Sequence, residues 1–165
     1  MADTIEELTS LFTRLGAPDP ASWARSQVTE GFSQLHRYLF LRQAWSKVVA
    51  DGDVTWIDAN IAVAEERPQA PFSGIGHALK RLISGGAAPE DLTEIVRGMQ
   101  ADLLFGICYL LEDPGLDDEE LEHIGWRLVE TDADYDPTDR PICSLHESVL
   151  ETDPTGREMR PKETR

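Results

Sequence analysis

PEDLTEIVRGMQADLLFGICYLLE, residues 89–112, predicts a long central helix around which the rest of the chain is organised. Pro89 suits the first helical position, where its missing N–H would have no intrahelical partner. Glu90 and Asp91 follow, and acidic side chains there favour the positive end of the helix dipole. One apolar face recurs at helical spacing and consists of Leu92, Ile95, Val96, Met99, Leu103, Ile107, Leu110 and Leu111.

The second half of this helix, residues 103–111 (LLFGICYLL), carries no charged side chain on any face. A helix that is apolar all round is normally buried on all sides. A membrane span needs roughly 20 apolar residues, so this run is too short for one. We therefore expect a buried core helix rather than a membrane anchor, with Cys108 as a small core residue.

Capping and turn residues predict further helices before the central one. A capping box formed by Thr4 and Glu7 begins a helix that stops at Gly16. The next helix begins at residues 19–20, and its apolar pattern continues to residue 50, with Gly31 as a point where it could break. Two more helices are expected from Thr55 to just before residue 68, and from Ser73 to residues 85–86.

The pattern changes after the central helix. Residues 116–123 (LDDEELEH) predict a short acidic helix, and the alternation over residues 124–129 suggests a short strand that needs a partner from the C-terminal region or another subunit. Residues 132–140 are expected to form a loop, and residues 144–150 one or two helical turns. The fold class that follows is mainly α: a compact domain of about six helices with a small irregular or β-containing C-terminal part.

The chain of 165 residues fits one domain, which we place at residues 1–153, followed by a polar and partly disordered tail at 154–165. The first residues, MADTIEEL, are acidic where a signal peptide is basic, so we expect a cytoplasmic location. Two cysteines do not make a disulfide framework. No phosphate-binding glycine motif is present, and we expect no cofactor.

The formal net charge is −16 and is concentrated late in the chain. Residues 112–139, here called the acidic segment, hold twelve acidic residues and one basic residue, Arg127. Direct nucleic-acid binding is disfavoured, because phosphate contacts need a basic surface. A basic protein partner is the natural electrostatic complement. The alternative is that the charge only keeps the protein soluble.

We therefore favour a non-catalytic binding or regulatory protein that presents its acidic face to a basic partner. A toxin-neutralising immunity protein is one concrete version, since a basic nuclease surface would suit this charge pattern. An exposed tryptophan beside the acidic segment would make a binding hot spot, and Trp126 is the best placed. The residues expected to contact the partner are Asp117, Asp118, Glu119, Trp126, Asp132, Asp134 and Asp136.

The alternative function is a metal-dependent enzyme with a Glu/His site between helices. Glu120 and His123 have the Glu-x-x-His spacing found in di-iron carboxylate proteins, but those proteins need the pair twice plus two further glutamates. His146 is a third candidate ligand, and Cys143 lies three residues before it. Structural zinc needs four ligands, and no second close-spaced pair supports such a site.

Two blocks of sequence resemble a group of bacterial hypothetical proteins. One is the ending LHESVL, residues 145–150, with DPTGREMRP, residues 153–161, and the other is residues 74–111. Neither block contains a catalytic signature. The resemblance implies a small bacterial protein of unknown role.

Overall fold

Residues 4–121 and 123–162 are described by a computed structural model of the chain. This part of the chain contains seven α-helices and one small antiparallel sheet of two strands in its C-terminal part. The predicted fold class, mainly α with a β-containing C-terminal part, is therefore confirmed. The elements are α1 Ile5–Leu15, α2 Pro20–Thr29, α3 Gln34–Trp45, α4 Thr55–Glu66, α5 Ser73–Ser84, α6 Pro89–Leu110, a 3-10 turn Glu119–Leu121, β1 Val129–Thr131, β2 Pro137–Pro141 and α7 Leu145–Ser148.

The chain divides into two compact units. The first consists of Met1–Trp45 with Asp102–Arg165, and the second of Ser46–Ala101. Helix α6 contributes residues to both units. The first unit contains α1, α2, α3, the sheet and α7, and the second contains α4 and α5.

Local chemistry sets the ends of the first two helices. Thr4 and Glu7 form the predicted capping box, and Gly16 ends α1 in the left-handed conformation at φ 83°. The Asp19 carboxylate accepts a hydrogen bond from the Ser22 N–H at the start of α2. The prediction of one helix continuing to residue 50 is wrong. The helix ends at Thr29, the chain turns at Gly31 with φ 76°, and α3 begins at Gln34.

An aromatic cluster forms the core of the first unit. Phe12, Trp23 and Tyr38 come from α1, α2 and α3, and their ring centroids lie 5.5–5.9 Å apart in tilted or edge-on pairs. Such pairs add about 0.5–1.5 kcal/mol each beyond the burial of their area. The Tyr38 hydroxyl donates to the Leu15 carbonyl oxygen at 3.0 Å, so the polar tip of this side chain is satisfied. Leu8, Ala17 and Ala24 complete the buried cluster.

The C-terminal part of the first unit is attached to α3 through Trp45. Its buried indole N–H lies 2.9 Å from the Val149 carbonyl oxygen and 3.2 Å from the Thr152 hydroxyl. After α7, the Asp153 carboxylate accepts hydrogen bonds from the N–H groups of Thr155 and Met159. Asp153 thereby organises the turns of residues 154–162. Residues 163–165 of the predicted disordered tail lie outside the described residues.

In the second unit, α4 and α5 pack closely. Ile57 and Ala64 of α4 and Leu79 of α5 are buried. Gly76 is also buried, and a side chain there would meet the Asn60 backbone and Ala64. Only glycine allows this close approach of the two helices.

The central helix is confirmed as Pro89–Leu110, but the prediction that residues 103–111 are buried on all sides is wrong. Leu104 and Cys108 are buried, whereas Leu103 is 63% exposed and Phe105, Ile107, Tyr109 and Leu110 are also exposed. Earlier in the helix, Ile95 and Met99 are exposed in the same way. Within the described residues, no helix has the length and hydropathy that a bilayer crossing requires.

The N-terminal half of α6 buries polar residues instead. The Thr93 hydroxyl donates to the Asp53 carbonyl oxygen and accepts from the Trp56 indole, each at 3.0 Å. Arg97 is 2% exposed, and its guanidinium donates to the Val49 carbonyl oxygen at 2.8 Å. These contacts satisfy polar groups that would otherwise be costly to bury.

The sheet is a hairpin in which Val129 pairs with Pro141 and Thr131 with Pro137. The strand predicted over residues 124–129 is therefore displaced, since β1 is Val129–Thr131 and residues 124–128 have no regular structure. The predicted partner from the C-terminal region is β2, which begins within the predicted loop at 132–140 and leaves residues 132–136 as the turn. The acidic helix predicted over residues 116–123 is reduced to the 3-10 turn Glu119–Leu121, and Glu122 lies outside the described residues.

Candidate functional site

The first group of predicted partner-binding residues lies in the loop after α6. Asp117, Asp118 and Glu119 are all exposed. Asp118 also begins the 3-10 turn, because its carboxylate accepts from the Glu120 N–H at 3.0 Å and its carbonyl oxygen from the Leu121 N–H at 2.8 Å. The turn therefore fixes the backbone of this loop while the three acidic side chains stay exposed.

The second group lies in the turn between β1 and β2. Asp132, Asp134 and Asp136 are exposed, and the Asp132 carboxylate accepts from the N–H groups of Asp134 at 2.9 Å and Asp136 at 3.0 Å. Tyr135 at the tip is 85% exposed, with φ at 67°. The turn presents an aromatic ring between carboxylates. Sequence reasoning missed Tyr135, although its position between Asp134 and Asp136 was visible.

Trp126 is 45% exposed, and the end of α6 explains its position. The last carbonyl oxygens of a helix have no intrahelical donor. The Trp126 indole N–H donates to one of them, the Leu110 carbonyl oxygen, at 2.7 Å. The loop that begins after α6 therefore returns to the end of the same helix, and it carries Asp117, Asp118 and Glu119 between these two points.

One acidic residue of the segment is buried rather than solvated. Glu130, the middle residue of β1, is 7% exposed. Its carboxylate lies 3.0 Å from Nδ1 of His36 on α3 and 3.6 Å from a guanidinium nitrogen of Arg140 on β2. Glu130 thus has a structural role in holding the hairpin against α3, and it is not available to a partner.

The predicted contact residues fall into two places on the first unit. Asp117, Asp118 and Glu119 share the α6 loop with Trp126, whereas Asp132, Asp134 and Asp136 lie in the hairpin turn. Among the described residues, no hydrogen bond or ion pair joins the two groups.

The candidate metal ligands lie in different surroundings. Glu120 and His123 are exposed on the acidic loop. His146 packs its ring edge-on against Tyr109 and Phe105, and its Nδ1 lies 3.5 Å from the Glu112 carboxylate. Across residues 4–121 and 123–162, no group of three or more His, Cys, Asp or Glu residues is positioned to hold a metal ion. The metal-enzyme alternative stays a prediction without a site in this part of the chain.

A polar cleft of about 370 Å³ lies elsewhere on the first unit. Arg37 is one of its lining residues, and its guanidinium donates to the Ser148 hydroxyl at 2.6 Å and lies 5.8 Å from the Trp23 ring centroid. Burial lowers the pKa of Arg37, and the Glu147 carboxylate opposes this effect. The cleft is lined by Ser22, Trp23, Ser26, Glu30, Gln34, Arg37, Glu147, Ser148 and Glu151.

The polar groups of this cleft largely bond to one another. The Trp23 indole donates to Glu151, Gln34 donates to Ser26, and Ser26 donates to Glu30. Arg37 and Ser148 are 111 positions apart in the sequence, so no local motif could have indicated the cleft. Its lining contains neither histidine nor cysteine.

Comparisons of the chain with protein-family models, curated proteins and solved structures find no match. The resemblance to bacterial hypothetical proteins stays a prediction.

Proposed function

We propose that this protein is a non-catalytic binding or regulatory protein of the bacterial cytoplasm that presents its acidic segment to a basic protein partner. The observation that carries the proposal is that Trp126 and Tyr135 are exposed within the acidic segment. Aromatic side chains are enriched among residues that dominate binding energy. A solubilising surface needs its charges but has no need of exposed aromatic rings among them.

The charge distribution indicates that the surface of the proposed partner is positively charged. Asp117, Asp118 and Glu119 are exposed in one loop, and Asp132, Asp134 and Asp136 in the other. Opposite charge on a partner would steer the encounter and raise the association rate. A toxin-neutralising immunity protein is one version of this function, with a basic nuclease surface as the partner.

The test removes six charges and keeps side-chain size. The variant carries Asn at positions 117, 118, 132, 134 and 136, all of which are Asp, and Gln at Glu119. Partners are captured from native lysate with the wild-type protein, and association and dissociation rates are measured at two salt concentrations. We expect to capture a basic partner that associates more slowly with the variant than with the wild-type protein. Its association with the wild-type protein should also slow as the salt concentration is raised.

A matched control removes six exposed charges elsewhere. It replaces Glu6, Asp58, Glu66, Glu90, Asp91 and Asp102 by the corresponding amides. The net charge of the two variants is then the same. Equal association rates for the wild type and the acidic-segment variant, with equal salt dependence, would reduce the acidic segment to a solubility feature and overturn the proposal.

A further inference from the structure

The C-terminal half of α6 exposes an apolar stripe next to Trp126. Leu103, Ile107 and Leu110 have spacings of four and three residues, which place them on one face of the helix, and they are 63%, 44% and 49% exposed. Trp126 is tied to the Leu110 carbonyl oxygen at the end of that helix. We call these four side chains the α6 patch.

Acidic side chains occupy the segment between Leu110 and Trp126, two members of the α6 patch that a hydrogen bond joins. Asp113 follows the end of α6, and Asp117, Asp118 and Glu119 lie on the loop that returns to the helix at Trp126. All four are exposed. An apolar centre with a polar and charged rim is the usual arrangement of a protein–protein interface.

The charge of the rim identifies the occupant. A second copy of this chain has the same formal net charge of −16, so two copies repel each other. An anionic membrane surface would be repelled for the same reason. A basic amphipathic helix would instead offer apolar side chains to the patch and cationic side chains to the rim.

Building on the proposed function, we infer that the α6 patch binds the apolar face of a basic amphipathic helix supplied by the partner. Leu103, Ile107 and Leu110 form a row along α6, against which the apolar residues of a second helix can pack. The half-exposed indole of Trp126 supplies the aromatic anchor at one end of this row. The carboxylates of the acidic loop then contact lysine or arginine side chains at the edges of the bound helix.

The probe is a synthetic Leu/Lys peptide of about 16 residues, long enough to form a helix on binding. Its leucines follow the i, i+3, i+4, i+7 pattern. A second peptide has the same composition but a scrambled order that gives no apolar face in a helix. Affinities for the full-length protein are measured by calorimetry. We expect the amphipathic peptide to bind at least about ten-fold more tightly than the scrambled one, because only it can bury the patch.

Variants then locate the binding surface. Leu103→Ser combined with Ile107→Ser should weaken binding of the amphipathic peptide at least about ten-fold. The control combines Val63→Ser with Phe72→Ser, which removes two exposed apolar side chains from the second unit and should leave the affinity unchanged. Circular dichroism of each variant verifies that its helix content is retained.

The outcomes separate the inference from the proposed function. If both peptides bind equally and both lose affinity in the acidic-segment variant, the acidic segment still captures basic chains, but the inference is overturned. Binding of neither peptide, or unchanged affinity in the Leu103/Ile107 variant, also overturns it. If the amphipathic peptide binds the acidic-segment variant with unchanged affinity and salt dependence, the basic character of the occupant and the proposed function both fail.

Discussion

Gly76 of α5 lies directly against the backbone carbonyl oxygen of Asn60 in α4. A β-carbon at position 76 would overlap this oxygen and the Ala64 side chain, so the two helices would have to separate. We expect Gly76→Ala to lower the free energy of unfolding by about 2 kcal/mol or more. The measurement is urea denaturation followed by circular dichroism.

Gly74→Ala is the matched control, because nothing lies within 4 Å of a β-carbon at that position. It occupies the same helix, where alanine is favoured over glycine by up to about 1 kcal/mol. Its stability should therefore be unchanged or slightly raised. Equal destabilisation by both substitutions would contradict the close packing of α4 against α5.

The four tryptophans allow a comparison of buried and exposed indole N–H groups. Trp45→Phe removes a buried donor to the Val149 carbonyl oxygen and should cost about 1–3 kcal/mol. Trp126→Phe removes an exposed donor to the Leu110 carbonyl oxygen, where water can replace it, and should cost less than about 1 kcal/mol. Thermal unfolding of the two variants tests this order. A larger loss for Trp126→Phe would show that this indole supports the fold.

The thiol of Cys108 links stability to alkaline pH. Burial, with a smaller contribution from Glu112, raises the pKa of this thiol to about 11. The unfolded thiol loses its proton at a lower pH, so the folded state binds more protons between these two pKa values. The contribution of this thiol to the free energy of unfolding is fully present below about pH 8.5 and is lost as pH rises towards 11.

Cys108→Ala should therefore flatten the dependence of unfolding free energy on pH between about 9 and 11. Cys143→Ala is the control, because Cys143 is only partly buried, and it should leave that dependence in place. Denaturation curves at several alkaline pH values provide the measurement. If the unfolding free energy of Cys108→Ala depended on pH as in the wild-type protein, that dependence would not come from the Cys108 thiol.

Neutralising the acidic segment should not unfold the protein. The variant with amides at positions 117, 118, 119, 132, 134 and 136 relieves repulsion between nearby carboxylates. Asn at Asp118 and Asp132 keeps an oxygen that can accept the same backbone N–H groups. We expect the melting temperature to stay level or to rise, with the smallest change at high salt.

Asp132→Ala provides the contrast, since it removes the acceptor for the Asp134 and Asp136 N–H groups. That substitution should weaken the hairpin turn, and hydrogen exchange of the two amides should report it. If the six amide substitutions destabilise the protein more than Asp132→Ala does, the carboxylate charges themselves support the fold.

Sequence reasoning succeeded where the determining chemistry is local. Thr4 with Glu7, Asp19 with Pro20 and the glycine at position 16 set helix ends through atoms a few residues apart. Gly31 was recognised as a point where a helix could break, but the pattern alone did not show that the helix ends there.

The burial of α6 could not be predicted in the same way. The sequence pattern gave residues 103–111 as buried on all sides, yet Leu103 is exposed, while Thr93 and Arg97 in the same helix are buried. The partners of those two polar side chains are backbone oxygens of residues 53 and 49. Sequence periodicity does not reveal hydrogen bonds between residues 40 or more positions apart. In α6 these bonds reverse the usual relation between hydropathy and burial.

In the candidate site too, features set by local chemistry were predictable and features set by distant residues were not. Exposure of the acidic residues at 117–119 and 132–136 followed from their charge. The hydrogen bond from Trp126 to α6 could not be predicted from the sequence. Residues 124–128 alternate like a strand, whereas the Trp126 indole bonds to the end of a helix. The burial of Glu130 depends on His36, which is far away in the sequence.

The exposed stripe of α6 also bears on the lifetime of the protein in a cell. Chaperones and proteases act on apolar surface and on partly open chains, so a free copy would be removed faster than one whose stripe is covered. If the proposed partner covers this stripe, abundance would follow the supply of that partner rather than the rate of synthesis alone. In each unbound molecule, the exposed side chains of Leu103, Ile107 and Leu110 would allow surplus protein to be recognised and degraded.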